Sequence, residues 1–175
     1  LVYVAEWQPP RWEMVWVDEA GDETPAWREP LTGLWSAVRV SPDGRRAVLV
    51  SRDGNDEERA ELLDLEGGSR ARIGPKGLLA AVPLWSRDGE RIVVDAEVDG
   101  QRQLAWLRPL PDEPLHPLTS GPGMRHTPGG FTLDGRSVLF AQFSKLDGIG
   151  DLLVTDLDGD GHTDHRTSRE EPRRG

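Results

Sequence analysis

Apolar residues come along this chain in short bursts, each closed by residues that favour turns. Val15-Trp16-Val17, Ala47-Val48-Leu49-Val50, Ile92-Val93-Val94, Leu104-Ala105-Trp106-Leu107, Val138-Leu139-Phe140-Ala141 and Leu152-Leu153-Val154 are such bursts, with Gly, Pro, Asp, Asn and Ser gathered between them. Runs of this length, bounded by turn chemistry, predict β-strands. The runs also recur at a fixed interval. Ser41-Pro42-Asp43-Gly44 returns as Ser86-Arg87-Asp88-Gly89 and again as Thr132-Leu133-Asp134-Gly135, the Asp-Gly pairs lying 45 and 46 residues apart. Each copy follows an apolar residue (Val40, Trp85, Phe131) and precedes an apolar strand. Asp-Gly between two strands predicts a tight hairpin, and a type I′ turn would need positive φ at both residues.

A repeat of about 45 residues holding several strands predicts an all-β fold, the β-propeller, whose blades are four-stranded antiparallel sheets set around a channel. About four blades are expected within residues 1–170. Residues 1–34 hold the second, third and fourth strands of an incomplete first blade, and Glu6 to Arg11 read as a loop. The following blades fall at about 35–79, 80–125 and 126–168, and 169–175 form a charged tail. Burial is expected to fall from inner to outer strands, with Ala47 to Val50 apolar on both faces. Four prolines between Pro109 and Pro117 predict a short, irregular fourth strand in the third unit, because proline cannot donate to a ladder. The chain begins inside a strand pattern, so an excerpt of a larger propeller is expected.

Composition narrows the chemistry. Twenty glycines and 14 prolines suit a fold built from short strands and many turns. A formal charge of −10 argues against nucleic acid as a partner, since phosphate contacts need a clustered basic surface. No apolar run is long enough to span a membrane as a helix, so no membrane insertion is expected of this segment. With no cysteine there is neither a disulfide nor thiolate chemistry.

One acidic stretch carries candidate chemistry. In Asp156-Leu157-Asp158-Gly159-Asp160-Gly161-His162-Thr163-Asp164, carboxylates stand at positions one, three, five and nine, with Gly at six. Alternate oxygens and a glycine at the bend match the start of a calcium loop. Asp156, Asp158, Asp160 and Asp164 would offer side chains, and His162 its backbone carbonyl, as in the integrin-type loops this stretch resembles. Thr167 at position twelve departs from an EF-hand, and the competing reading is a plain hairpin with solvated carboxylates. No Ser/His/Asp, Cys/His or paired-carboxylate spacing marks a catalytic centre, and no cofactor is required. Of the seven tryptophans, Trp85 shares its repeat position with Val40 and Phe131 and reads as core, whereas Trp7, Trp12 and Trp27 are the surface candidates.

At Ser41-Pro42-Asp43-Gly44-Arg45-Arg46, and again at Trp85-Ser86-Arg87-Asp88-Gly89-Glu90-Arg91-Ile92, the chain resembles the TolB-like propeller repeats. The resemblance covers about residues 35–160; Arg87 and Leu133 stand where the repeat has proline. It implies a binding or interaction module that offers its loops to a protein partner or small ligand, in a periplasmic or extracytoplasmic setting. Such repeats also form the propellers of prolyl-oligopeptidase-type serine peptidases and sensor regions of bacterial serine/threonine kinases; Leu1-Val2-Tyr3-Val4 and Met14-Val15-Trp16-Val17-Asp18 are most similar to the kinase-attached kind. An accessory role beside an enzyme domain outside this chain is therefore the alternative. No Gly-x-Ser-x-Gly elbow and no phosphate-cradling loop occurs in these residues.

Overall fold

The computed structural model describes residues 10–52, 58–75, 78, 82–121, 123–144, 146 and 150–158. Every regular element among them is a strand. The first unit contributes β1 (Arg11–Trp12), β2 (Val15–Val17), β3 (Glu23–Pro25) and β4 (Leu31–Thr32). The second holds β5 (Leu34–Val40), β6 (Arg46–Arg52), β7 (Glu58–Asp64) and β8 (Arg70–Arg72), and the third β9 (Leu84–Trp85), β10 (Ile92–Val98), β11 (Gln101–Leu107) and β12 (His116–Pro117). Strands β13 (Met124–Phe131), β14 (Ser137–Ser144) and β15 (Gly150–Asp156) follow.

Hydrogen bonding joins β5-β6-β7-β8 and β9-β10-β11-β12 into two four-stranded sheets and β13-β14-β15 into a three-stranded one, each pairing antiparallel. Each strand pairs with its neighbour in sequence, the up-and-down order of a propeller blade. The inner strands β5 and β13 both carry a register shift, between Trp35 and Ala37 and between Pro128 and Gly130. In the proline-crowded segment β12 keeps only two residues, paired with Ala105 and Trp106, as the missing N–H groups require.

Successive residues of a strand point to opposite faces, and that alternation builds the core between sheets. Ala47 and Leu49 of β6 meet Trp27 and Leu31 of the first unit. Val48 faces the other way and shares a cluster with Trp85, Ile92, Val94 and Leu107 of the next sheet. Val93 and Leu104 in turn join Val138, Phe140 and Leu153 of the last. The apolar runs Ala47 to Val50 and Ile92 to Val94 are thus covered on both faces, whereas the corresponding run of β14 leaves Leu139 exposed.

Three expectations need correction. Asp43, Asp88 and Asp134 keep negative φ, and only Gly44, Gly89 and Gly135 enter the left-handed region. Gly44 N–H donates to Ser41 C=O, Gly89 N–H to Ser86 C=O and Gly135 N–H to Thr132 C=O, so these turns place two ordinary residues before a left-handed glycine. The I′ geometry occurs instead at Asp99-Gly100, where both residues have positive φ between the paired Val98 and Gln101. In the two four-stranded sheets burial is highest in the second strand rather than the innermost: β6 is closed on both faces at Ala47 to Val50, whereas Val38 and Val40 of β5 are exposed. In the first unit β2 and β3 form the anticipated outer hairpin. Arg11, assigned to a loop, instead pairs with Thr32 in β1–β4, where Trp12 stands opposite Leu31, which is buried with Trp27, Ala47 and Leu49.

Candidate functional site

The three repeated turns are built alike. Ser41 Oγ lies 2.5 Å from Asp43 Oδ1 and accepts the Arg46 N–H at 3.0 Å, while Arg45 N–H reaches the same carboxylate at 3.1 Å. Ser86 repeats this with Asp88 at 2.6 Å, Arg91 N–H at 2.9 Å and Glu90 N–H at 2.9 Å. Thr132 does the same with Asp134, at 2.6 Å, Ser137 N–H and Arg136 N–H. Each hydroxyl therefore spends its proton on a carboxylate and its lone pair on the backbone, as short hydroxyl side chains do at turns. The hydroxyls, followed by the backbone N–H groups, hold all three carboxyls below the usual aspartate range. None of these groups is poised as a nucleophile or a general acid.

Arginines link one turn to the next. Arg46 Nη2 donates to Gly89 C=O at 2.9 Å while its guanidinium lies over the Trp85 ring, and Arg87 Nη1 donates to Leu133 C=O. Trp85 is buried, as its repeat position implies, and its Nε1–H donates to Arg39 C=O at 3.0 Å across the sheet boundary. These contacts join neighbouring sheets at their repeated turns.

A polar cluster lies between the sheets of β9–β12 and β13–β15. Asp95 stands where the other repeats have Val50 and Ala141, and it is fully buried. Its Oδ1 accepts from Arg102 Nε at 2.8 Å, and its Oδ2 lies 3.5 Å from Arg125 Nη2. His126, also buried, has Thr119 Oγ1 at 2.7 Å from Nδ1 and Gln142 Oε1 at 3.0 Å from Nε2. Because the amide oxygen can only accept, Nε2 carries the proton; Thr119, which accepts Leu104 N–H, donates to Nδ1. Burial pushes the imidazole below its usual pKa, against the pull of Gln142 and Asp95. A histidine with both nitrogens engaged and no exposed edge holds the two sheets in register. Aligning the repeats one residue past the apolar run would have exposed Asp95 as an intruder; His126 carries no comparable signal.

Of the proposed calcium ligands, Asp156 and Asp158 are described, and Asp160, His162 and Asp164 lie outside the described residues. Asp156 and Asp158 border an open depression of about 350 Å³ together with Asp134, Arg136 and Ser137. Ser137 Oγ donates to Asp156 Oδ1 at 2.6 Å, and Arg91 Nη1 pairs with Asp158 Oδ1 at 2.5 Å. Among the described residues no three His, Cys, Asp or Glu side chains gather closely enough to hold a metal. The tryptophans divide differently from the expectation. Trp12 and Trp16 are about half exposed, with Val17 and Leu34 also open to solvent, whereas Trp27 is buried against Leu31 and Ala47; Trp7 lies outside the described residues.

No protein-family model matches the sequence, and no curated protein does. Solved structures do. A protein assigned as TolB from Agrobacterium tumefaciens is similar with a TM-score of 0.61 and 21% identity, over 81% of this chain and 48% of its own. TolB from Acinetobacter baumannii gives 0.56 and 22%, over 81% of this chain and 35% of its own. The β-propeller domain of the Trilobed protease from Pyrococcus furiosus, described as having an open velcro topology, gives 0.50 and 17%, over 70% and 39%. The chain thus spans less than half the length of each of these structures. At such identities the likeness speaks for fold, and it agrees with the strand order and the repeat: the chain folds as consecutive antiparallel β-propeller blades, similar to those of the TolB structures.

Proposed function

We propose that this chain is a non-catalytic β-propeller module that binds a protein partner or a small ligand through its loops and exposed aromatic side chains. The observation that carries this reading is the half-exposure of Trp12 and Trp16, with Val17 and Leu34 exposed as well, on a scaffold whose Ser41, Ser86, Thr132 and His126 are committed to structural hydrogen bonds. Large aromatic side chains left open on a rigid frame are the residues that anchor protein interfaces. The test is capture from bacterial extract by the immobilised chain, compared with Trp12→Ala and Trp16→Ala. A partner retained by the wild type and lost from both variants supports the reading, and equal retention by all three overturns it.

The second reading, an accessory propeller whose enzyme domain lies outside this chain, is supported by the likeness to the Trilobed protease propeller; attachment to a serine/threonine kinase rests on the sequence resemblance. In that case the partner is a catalytic domain, and adding it in trans would shift the chain's melting. Calcium belongs to the same proposal at one place, the loop opening at Asp156 and Asp158, on its spacing; Asp158 would have to leave Arg91 to take part. A periplasmic or extracytoplasmic setting is likewise proposed from the resemblance.

A further inference from the structure

Aspartate followed by glycine is the pair in which a main-chain nitrogen reaches the preceding carboxyl most freely, because glycine puts no side chain beside the attacking N–H. Four such pairs have both residues described: Asp43-Gly44, Asp88-Gly89, Asp99-Gly100 and Asp134-Gly135. The three at the repeated turns are closed to that attack from both sides. Each carboxylate accepts from a hydroxyl (Ser41, Ser86 or Thr132) and from the N–H of the residue after the glycine. Each glycine N–H is itself spent on the carbonyl of Ser41, Ser86 or Thr132. The same bonds hold the three carboxyls below the usual aspartate range and so keep them ionised, the unreactive form.

Asp99-Gly100 lacks this protection. The pair forms the tip of the β10–β11 hairpin, between the paired Val98 and Gln101, and both residues are exposed. No described residue hydrogen-bonds the Asp99 carboxylate or the Gly100 N–H. A Cβ built on Gly100 would meet nothing within 4 Å, so the space beside this amide is open. Asp99 also holds φ of +52°, a conformation that costs an L-residue energy. Asp112 shares that conformation at +53°, but there a glutamate, Glu113, follows in place of glycine.

We propose that Asp99 is a site of spontaneous covalent modification, at which the main chain passes through a succinimide to isoaspartate. The Gly100 nitrogen attacks Cγ of the protonated Asp99 carboxyl; the N–Cγ bond forms, and the N–H proton and the carboxyl hydroxyl leave together as water. A second water then adds to the Asp99 main-chain carbonyl carbon and breaks its bond to the Gly100 nitrogen. The chain now runs through Cγ, and the former main-chain carbonyl is a free carboxylate. One water is lost and one regained, so composition is unchanged and no oxidant or cofactor enters. The product carries an extra methylene in the backbone between Val98 and Gln101, which a two-residue I′ turn cannot take up without reshaping.

The test ages the folded full chain for weeks in mildly acidic buffer, then maps it with an endoproteinase that cuts before aspartate but not before isoaspartate, each site being read by mass spectrometry. Isoaspartate should accumulate at Asp99 about tenfold or more faster than at Asp43, Asp88 or Asp134, since breaking even one hydrogen bond to a charged group slows a reaction by about that factor. In strong denaturant, where the turns are gone, the four sites should react alike. Ser86→Ala removes the hydroxyl from the Asp88 carboxylate and should raise isoaspartate at Asp88 above that at Asp43 and Asp134 of the same molecule. If that variant fails to fold, wild type in buffer against wild type in denaturant decides alone. A folded chain in which Asp99 reacts no faster than the three capped sites, a ranking that persists in denaturant, or a folded Ser86→Ala chain whose Asp88 stays as slow as Asp43 would each overturn the proposal.

Discussion

Ser86→Ala perturbs one repeated turn without touching the apolar contacts between sheets. Ser86 is 2% exposed; its Oγ accepts Arg91 N–H at 2.9 Å and donates to Asp88 Oδ1 at 2.6 Å. Alanine leaves that N–H without its acceptor, a loss of about 1–3 kcal/mol. The bond to Asp88 counts for less, because the carboxylate is exposed and water replaces the donor. The sum is a destabilisation of about 2 kcal/mol, which for a chain of this size lowers Tm by about 4–8 °C. Ser86→Thr keeps the oxygen, as Thr132 does in the last repeat, and should restore most of the loss. The pH dependence has a definite sign. Asp88 is held below its unfolded value, chiefly by Ser86, so its contribution is complete above about pH 4 and disappears as pH falls through the folded value. The gap between wild type and Ser86→Ala should therefore narrow in acid. Thermal melting by circular dichroism from pH 7 to pH 3 reads all of this. A variant melting within about 0.5 kcal/mol of wild type, or a threonine no better than alanine, would refute the assigned turn chemistry.

Further outcomes follow from other residues. Gly89→Val should destabilise by roughly 1–2 kcal/mol or more, because Gly89 has φ of +71° and an added Cβ would meet Arg46 Nη2 at 3.2 Å; wild-type denaturant unfolding of that variant would contradict the geometry. His126 titrates below its unfolded value because it is buried, so stability should fall as pH drops below about 6.5 and level off beneath the folded value. His126→Gln should flatten that part of the profile, and an unchanged slope would assign it elsewhere. If the loop from Asp156 binds calcium, millimolar calcium raises Tm by binding the folded state only; equal melting in calcium and in chelator would remove that ion from the account.

Much of this architecture could be read from the chain because three turns announce it. Asp43-Gly44, Asp88-Gly89 and Asp134-Gly135 locate the inner hairpins, and the apolar runs after the first two become strands buried on both faces, while the third is buried on the face of Val138 and Phe140. Turn type was not legible in the same way. Asp-Gly is shared by I′ turns and by a left-handed glycine closing an ordinary turn, and here the capping of Arg46, Arg91 and Ser137 N–H by Ser41, Ser86 and Thr132 selects the latter. Asp99-Gly100, with no hydroxyl residue ahead of it, takes the I′ form. Trp27 was misplaced because burial in the first unit depends on Leu31 and on the backs of Ala47 and Leu49, residues from another sheet. The polar cluster at Asp95 and His126 is equally non-local: its members come from β10, β11, β13, β14 and the segment after β12, and no spacing joins them. A partner is less legible still, since Trp12 and Trp16 show where a surface is open but not what closes it.

The central claim is that successive sheets stack face to face, and the contact between Trp85 and Arg39 tests it most directly. Those residues are separated by a full repeat and belong to adjacent sheets, yet the indole Nε1 lies 3.0 Å from the Arg39 carbonyl oxygen. In a nuclear Overhauser spectrum of the folded chain, the Trp85 indole proton should show cross-peaks to the backbone protons around Arg39 and exchange slowly with solvent. An indole proton that exchanges freely and shows contacts only within its own repeat would contradict the stacked arrangement.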